Sequence, residues 1–278
     1  MTTIDCQVHV YEPDHPGRPW AHKINGPDHV TGDEQVAAMD ALGIDGAVIV
    51  STFTTYRYDS SYAQDVHAQH PGRFALVKPV SISDPAVNEV MTDWASTPGA
   101  VGARIMLAFA RDKDAGHPGI DAVLKAGARL GMPINVYASG VLDEAKAIVA
   151  RHPDTTIVID HVGLPQTDRV PGSDAWADLP KVLALAAFEN TRIKLSGACV
   201  LSDRPFPYDD IWDPLSRIVD AFGTRRCMWG TDWTRVTNLT YGEATEAFRQ
   251  TGRFSESDKA MLMGGAAETI YGWSPAAR

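Results

Sequence analysis

Eight short apolar segments rich in β-branched residues recur along the chain, and longer segments with helical spacing separate them. This alternation is typical of parallel strands joined by crossover helices. We therefore predict eight strands, at residues 3–10, 46–52, 74–80, 100–106, 133–138, 155–162, 191–198 and 226–233.

Eight strand–helix units in sequence predict an α/β fold of the (β/α)8 TIM-barrel type. One helical pattern follows Gly32, a second ends at Gly131, and a third covers residues 177–190. An open doubly wound sheet is the alternative, but no glycine-rich phosphate loop follows the first strand. We expect a single domain over residues 1–278, with a helical tail at residues 255–273 packing outside the barrel.

Composition and charge favour a small molecule as the partner. The 278 residues carry 25 Lys and Arg against 35 Asp and Glu, and the net charge of −10 repels nucleic acid and anionic membranes. The three cysteines are widely spaced, which speaks against a disulfide framework or a zinc knuckle. The sequence has no apolar run of about 18 residues and its start lacks the pattern of a secretory signal. We expect a cytoplasmic protein that binds neither nucleic acid nor membrane, and the oligomeric state stays open.

In a barrel of this type the chemistry lies at the carboxyl ends of the strands. The polar residues expected there are Asp5, Gln7, His9, Arg104, Asn135, Tyr137, His161, Lys194, Ser196 and Asp232. Three long loops rich in Pro, Gly and Asp, at residues 11–32, 163–175 and 199–210, are expected to surround the mouth.

Residues two apart on a strand point to the same face, so Asp5, Gln7 and His9 are expected to project together into the barrel. For His9 alone a packing role is equally open. Asp232 could instead cap the following helix. Two histidines and one aspartate at separate strand ends nevertheless favour a reaction centre.

Three segments, IDCQVHVYEP, IDHVGLP and MWGTDW, resemble strands one, six and eight of the amidohydrolase superfamily. The resemblance is to the branch that holds the sugar lactonases and 2-pyrone-4,6-dicarboxylate lactonase. It spans the chain and includes the final GGAAETIYGW. It implies a hydrolase that opens a lactone or a similar cyclic ester.

The metal site of that superfamily is altered here. The family pattern on strand one is His-x-His, whereas this chain has Gln7 at the first position. An amide oxygen is a poorer zinc ligand than an imidazole. One zinc at His9, His161 and Asp232 remains an alternative. The resemblance to metal-free members of the lactonase branch implies a metal-independent site with no cofactor.

The same resemblance implies a role for each candidate residue. Asp232 would activate water as a general base, while His9 and His161 would polarise the ester carbonyl and Gln7 would act as a neutral donor. Arg104 would bind a substrate carboxylate or ring oxygen, and a structural salt bridge is the alternative for it.

Substrate recognition departs from that of the dicarboxylate lactonases. Where those enzymes carry arginines after strands six and seven, this chain has Leu164 and the Cys199–Val200 pair. A doubly charged substrate would lose part of its binding site. We therefore expect a flatter and less anionic substrate than the dicarboxylate.

Aromatic residues are expected to crowd the mouth of the barrel instead. They are Tyr11, Trp20, Phe53, Tyr56, Tyr58 and Trp233, and Tyr137 on the fifth strand is expected to face the pocket as well. Packing beneath long loops is the more common fate of such side chains. We predict that Tyr56, Tyr137 and Trp233 contact the substrate.

The sequence leaves two alternatives to lactone hydrolysis. A metal-dependent non-oxidative decarboxylase of an aromatic or enoic acid fits strands six and eight, but Gln7 counts against its metal site. A catalytically inactive homologue would bind the ligand without consuming it.

Overall fold

The eight predicted strands are all present in the computed structural model, which describes residues 2–110, 114–166, 173–235 and 239–277. They are β1 (Ile4–Val8), β2 (Gly46–Val50), β3 (Phe74–Pro79), β4 (Ala100–Ile105), β5 (Ile134–Val136), β6 (Ile157–Ile159), β7 (Thr191–Lys194) and β8 (Cys227–Met228). Each strand pairs in parallel with the next one in the chain. The backbone N–H of Cys6 donates to the Trp229 carbonyl (3.1 Å) and joins the two ends of the sheet. The prediction of a (β/α)8 barrel is confirmed.

Helices connect the strands on the outside of the barrel. They are α1 (Gly32–Ala41), α2 (Phe53–Tyr56), α3 (Ser61–Gln69), α4 (Val87–Ala95), α5 (Pro118–Leu130), α6 (Leu142–Arg151), α7 (Leu179–Ala184), α8 (Trp212–Phe222), α9 (Tyr241–Gln250), α10 (Glu256–Ala260) and α11 (Ala266–Tyr271). A capping box between Thr31 and Glu34 begins α1, and Gly131 ends α5 in the left-handed conformation (φ 65°). None of the helices that the structure describes is long and apolar enough to span a bilayer.

The last three strands are shorter than the sequence pattern suggests. After β6, β7 and β8 the chain turns sharply, with left-handed backbone at His161 (φ 55°), Gly197 (φ 64°) and Asp232 (φ 55°). Positive φ is incompatible with a β-ladder. The polar ends of these strands therefore lie in turns above the sheet.

The C-terminal tail does more than pack outside the barrel. Small apolar side chains fill the lower interior around Ile4 and Val48, and α11 closes this end. The Tyr271 hydroxyl donates to Oδ1 of Asn135 (3.2 Å) inside the barrel. Gly264 permits this docking, because a Cβ there would lie 2.0 Å from the Thr2 carbonyl oxygen.

Asp5 does not share the site of Gln7 and His9, contrary to the alternation expected on β1. The β1–β2 register shifts between Asp5 and Val8, and such an irregularity re-aims side chains. The Asp5 carboxylate accepts the Thr231 hydroxyl (2.6 Å) and the backbone N–H groups of Gln7 and Thr231 (both 3.0 Å). Asp5 thus anchors the turn that presents Asp232.

Candidate active site

Two connected cavities open at the carboxyl ends of the strands. We call the first the inner chamber, a cavity of about 160 Å³ whose lining includes His9, Arg104, Tyr137, His161 and Asp232. The second, the outer chamber, has a volume of about 770 Å³ and is lined by parts of the three long loops. The loops therefore surround the mouth as expected, although residues 167–172 of the second loop lie outside the described residues.

The two predicted histidines and the predicted aspartate meet in the inner chamber. Nε2 of His9 lies 3.2 Å from Oδ1 of Asp232, and Nδ1 of His161 lies 3.7 Å from Oδ2. All three side chains are about 95% buried. Two histidines from the ends of β1 and β6 thus face the carboxylate of an aspartate that follows β8.

His161 and Asp232 both adopt the left-handed backbone conformation, which is uncommon for residues other than glycine. Such strain costs on the order of 1–3 kcal/mol per residue and persists where the surrounding structure imposes it. At Asp232 the backbone N–H donates to the Gln7 carbonyl (2.9 Å). The side chain faces the histidines and does not cap the following turn.

The hydrogen bonds of His9 fix the orientation of its ring. Nδ1 lies 2.6 Å from the Val50 carbonyl oxygen, which can only accept, so Nδ1 carries a proton. The ammonium of Lys194 donates to Oε1 of Gln7 (2.8 Å), which turns the Gln7 amide nitrogen toward Nε2 of His9 (3.3 Å). The other ring nitrogen, Nε2, lies between the Gln7 amide nitrogen and Oδ1 of Asp232.

His161 is also fixed in one tautomer. The guanidinium of Arg104 can only donate, and its Nη2 lies 3.3 Å from Nε2 of His161. The proton then resides on Nδ1, which faces the Ser196 hydroxyl (3.0 Å). Burial lowers the pKa of His161 to about 4, against the opposing effect of Asp232 and Asp160. His161 is neutral at neutral pH.

Asp232 is ionised under the same conditions. Burial alone would raise its pKa, but His161 and His9 face the carboxylate and hold the pKa below its usual value. Its Oδ1 is buried 3.2 Å from Nε2 of His9 and has no well-aligned hydrogen bond to any described residue. This oxygen is therefore available to accept a proton from a molecule in the inner chamber.

A buried network of charges supports the chamber from below. Arg104 donates from Nε to Asp160 (2.7 Å), and Lys194 lies 3.3 Å from the other oxygen of Asp160, which also accepts from Asn135 (3.2 Å). Burial opposes ionisation of Asp160, but Lys194 and Arg104 hold its pKa well below the usual range. Lys194 also holds Gln7, so the network orients the residues above it.

These contacts test whether the site fits a divalent metal. Zinc needs about three lone pairs directed at one point. Here Oε1 of Gln7 faces the Lys194 ammonium, and Nε2 of His161 faces the Arg104 guanidinium. Within the described residues, no group of three His, Cys, Asp or Glu side chains could hold a metal ion. The donor set does not fit zinc.

Other predicted residues lie in different places. Tyr56 is buried beneath the first long loop, where its hydroxyl accepts the backbone N–H of Glu12 (3.1 Å). The indole of Trp233 donates to Gln35 (3.1 Å), and its ring stacks on Tyr241. Neither ring lines the inner or outer chamber, because both pack against neighbouring elements.

One wall of the inner chamber is a row of aromatic rings. Phe109 stacks on Tyr137 with centroids 5.5 Å apart, and Phe53 stacks on Phe109 at 5.9 Å. Phe109 is 60% exposed, which is unusual for so large an apolar side chain. Sequence reasoning missed Phe109, which lies four residues after the end of β4. The row can accommodate a flat or ring-shaped ligand.

Sequence reasoning also missed Arg235, which lines both chambers. Its only sequence clue is its position three residues after Asp232.

Comparisons with known proteins agree with this architecture. A family model described as an amidohydrolase matches residues 4–273. The 4-sulfomuconolactone hydrolase of Rhizobium radiobacter is 28% identical over 243 residues, which cover 82% of this chain and 74% of that protein. An L-fucono-1,5-lactonase of Burkholderia multivorans is 31% identical over 140 residues. That match covers 47% of this chain and 47% of the relative, about half the length of each.

Among solved structures, an amidohydrolase of Burkholderia multivorans with bound zinc superposes with a TM-score of 0.79. The alignment covers 98% of this chain and 99% of that one at 22% identity. At this identity the likeness shows the shared fold.

Proposed function

The chain belongs to the amidohydrolase family, whose model matches nearly its whole length, and we propose that it hydrolyses a lactone with Asp232 as the general base. The observation that carries the proposal is the buried, ionised Asp232 carboxylate in a ring-sized chamber. The lactonase names of two relatives support the same reaction.

Asp232 can carry out both proton transfers that lactone hydrolysis requires. Asp232 accepts a proton from water as the water oxygen attacks the lactone carbonyl carbon. When the tetrahedral intermediate collapses, the ring C–O bond breaks and protonated Asp232 returns its proton to the ring oxygen. The product is an open-chain hydroxy acid.

The developing oxyanion needs hydrogen-bond donors. Arg104 lines the chamber and has five N–H groups, of which those at Nε and Nη2 face Asp160 and His161. Nδ1 of His9 faces the Val50 carbonyl, and Nε2 of His9 faces Gln7 and Asp232. We therefore assign carbonyl polarisation chiefly to Arg104, with His161 holding its guanidinium in position.

The direct test is an assay of the purified protein on a panel of γ- and δ-lactones, with the release of acid followed at constant pH. We expect hydrolysis far above the uncatalysed rate for at least one ring. Failure of every lactone in the panel would contradict the proposal.

We predict that hydrolysis does not require a metal ion. The Gln7 and His161 lone pairs already face Lys194 and Arg104, so the purified protein should contain less than one equivalent of zinc. Activity should be unchanged after prolonged chelation. Elemental analysis and an assay of the chelated protein test this. One tightly bound metal whose removal abolishes activity, and whose return restores it, would favour the decarboxylase-like alternative.

The pH dependence of kcat/KM should report unusually acidic groups. His161 has a lowered pKa of about 4 and Asp232 a pKa below its usual value, so both have their active forms above that pH. We expect kcat/KM to stay level from pH 7 down to about 5 and to fall as His161 is protonated. Circular dichroism at each pH separates this loss from unfolding. A half-maximal rate near pH 6.5, the ordinary value for histidine, would instead identify a histidine base.

A further inference from the structure

Arg235 lies at the junction of the two chambers. It ends the short turn that follows Asp232, and its backbone N–H donates to the Asp232 carbonyl (3.0 Å). Three described residues line both chambers, namely Asn25, Gln166 and Arg235, and only Arg235 among them is charged. A ligand extending from the inner to the outer chamber must pass its guanidinium.

The guanidinium of Arg235 has one N–H group with no hydrogen-bond partner among the described residues. Its Nη1 is buried and has no acceptor among the described residues. The buried cations of the site, Arg104 and Lys194, both pair with Asp160. Arg235 is partly exposed, and its charge helps to lower the pKa of Asp232. Burying a charged donor without an acceptor is costly, so such a donor indicates a place where a ligand supplies the acceptor.

The charge of the outer chamber points to an anionic ligand group. Lys23, Arg204 and Arg235 contribute three positive charges to its lining, in a protein whose net charge is −10. The acidic residue among the described lining residues is Glu243, whose carboxylate accepts the hydroxyl (2.8 Å) and backbone N–H (3.0 Å) of Thr240. A local excess of positive charge attracts anions and orients them.

The size of the inner chamber indicates where the anionic group of a ligand would lie. A volume of about 160 Å³ corresponds to roughly five water molecules at about 30 Å³ each, or a single small ring. A ring with its carbonyl beside Asp232 fills this space, so a substituent must extend toward Arg235 and the outer chamber.

We propose that Arg235 binds a carboxylate substituent of the substrate, so that the substrate is a small lactone bearing one anionic side chain. This inference rests on the proposed lactone hydrolysis for the identity of the ring, but Arg235 recognition is testable without turnover. It agrees with the expectation of a substrate less anionic than the dicarboxylate, and it gives that substrate one carboxylate, which Arg235 in the turn after β8 would bind.

The test uses unreactive lactams, which have the ring shape of a lactone but an amide in place of the ester. One lactam carries a carboxymethyl group and its partner carries the neutral carboxamide. Isothermal titration calorimetry compares their dissociation constants for the wild-type protein and for Arg235→Gln, Arg235→Lys and Arg225→Gln. Arg225 is an exposed arginine just before β8, at the opposite end of the barrel, and is the matched control for a lost charge.

We expect the wild-type protein to bind the acid about 10- to 100-fold more tightly than the carboxamide, as for a charge-assisted hydrogen bond. Arg235→Gln should remove this preference, Arg235→Lys should keep part of it, and Arg225→Gln should keep all of it. Equal binding of both lactams by the wild-type protein, no detectable binding of the acid, or a preference that survives in Arg235→Gln would overturn the proposal.

The same experiment separates this inference from the proposed function. A wild-type protein that prefers the acidic lactam but hydrolyses none of the lactones in the assay refutes the reaction and supports the anionic subsite. Hydrolysis of neutral and acidic lactones at equal kcat/KM, with no preference in binding, supports the reaction and refutes the anionic subsite. Melting temperatures of the variants establish that each is folded.

Discussion

Asp232→Asn should reduce kcat for lactone hydrolysis by roughly 10²- to 10⁴-fold, the range that general-base catalysis supplies. Asparagine has the shape of aspartate but cannot accept a proton from water. The backbone bond from the Asp232 N–H to Gln7 does not involve the side chain, so the turn should survive the change. Steady-state kinetics of the purified variant give the effect, and KM should change less than kcat.

Asp160→Asn provides the contrast for this experiment, because Asp160 is a buried carboxylate beneath the chamber. It binds Arg104 and Lys194 and does not line the inner chamber, so its loss should lower the unfolding temperature as well as the rate. Asp232→Asn should change the rate with a small effect on unfolding. Near wild-type turnover in Asp232→Asn would show that this carboxylate is not the base.

The sequence predicted the barrel, and the meeting of three residues in the candidate site, for one physical reason. A parallel barrel places the ends of all its strands at one rim, so polar residues at those ends meet whatever their separation in the chain. His9, His161 and Asp232 follow β1, β6 and β8, and they converge as this rule requires.

The rule fails where the backbone departs from regular strand geometry or where loops decide the packing. Asp5 was assigned to the site by alternation, but the irregular β1–β2 register turned its carboxylate toward Thr231. Tyr56 and Trp233 belong to segments whose rings pack on neighbouring elements, which no periodicity reveals. Arg235 lies three residues after Asp232, whose backbone is left-handed, so alternation along β8 could not predict the direction of the Arg235 side chain.

Alternation along a strand also does not determine from the sequence whether Lys78 and Lys194 point into the barrel, because the exact strand bounds are needed for that. The ammonium of Lys78 lies 5.0 Å from the ring centre of Trp94 on α4, on the helical side of the sheet. Lys194 is fully buried and points into the barrel between Gln7 and Asp160. A lysine inside a barrel needs a carboxylate partner, and only the folded structure identifies Asp160 as that partner.

The buried charges also explain how a barrel that lacks the first family histidine can keep an organised site. Gln7 in place of histidine cannot fix its own amide orientation, because its two ends differ little in shape. Lys194 removes that ambiguity by donating to Oε1, so the amide nitrogen faces His9. The positioning of His9 thus depends on a cation that lies two side chains away.

Lys194→Met should therefore destabilise the fold by about 3–5 kcal/mol, the usual cost of removing one partner of a buried ion pair. Methionine fills a similar space, but Asp160 loses a cation 3.3 Å away and Gln7 loses the donor to its oxygen. Urea unfolding followed by circular dichroism gives the change in the free energy of unfolding. The matched control is Lys181→Met, which breaks a solvent-exposed pair with Asp143 (2.8 Å) and should cost less than about 1 kcal/mol. Equal losses in the two variants would mean that Lys194 contributes no more than a surface charge and that Gln7 is oriented by other contacts.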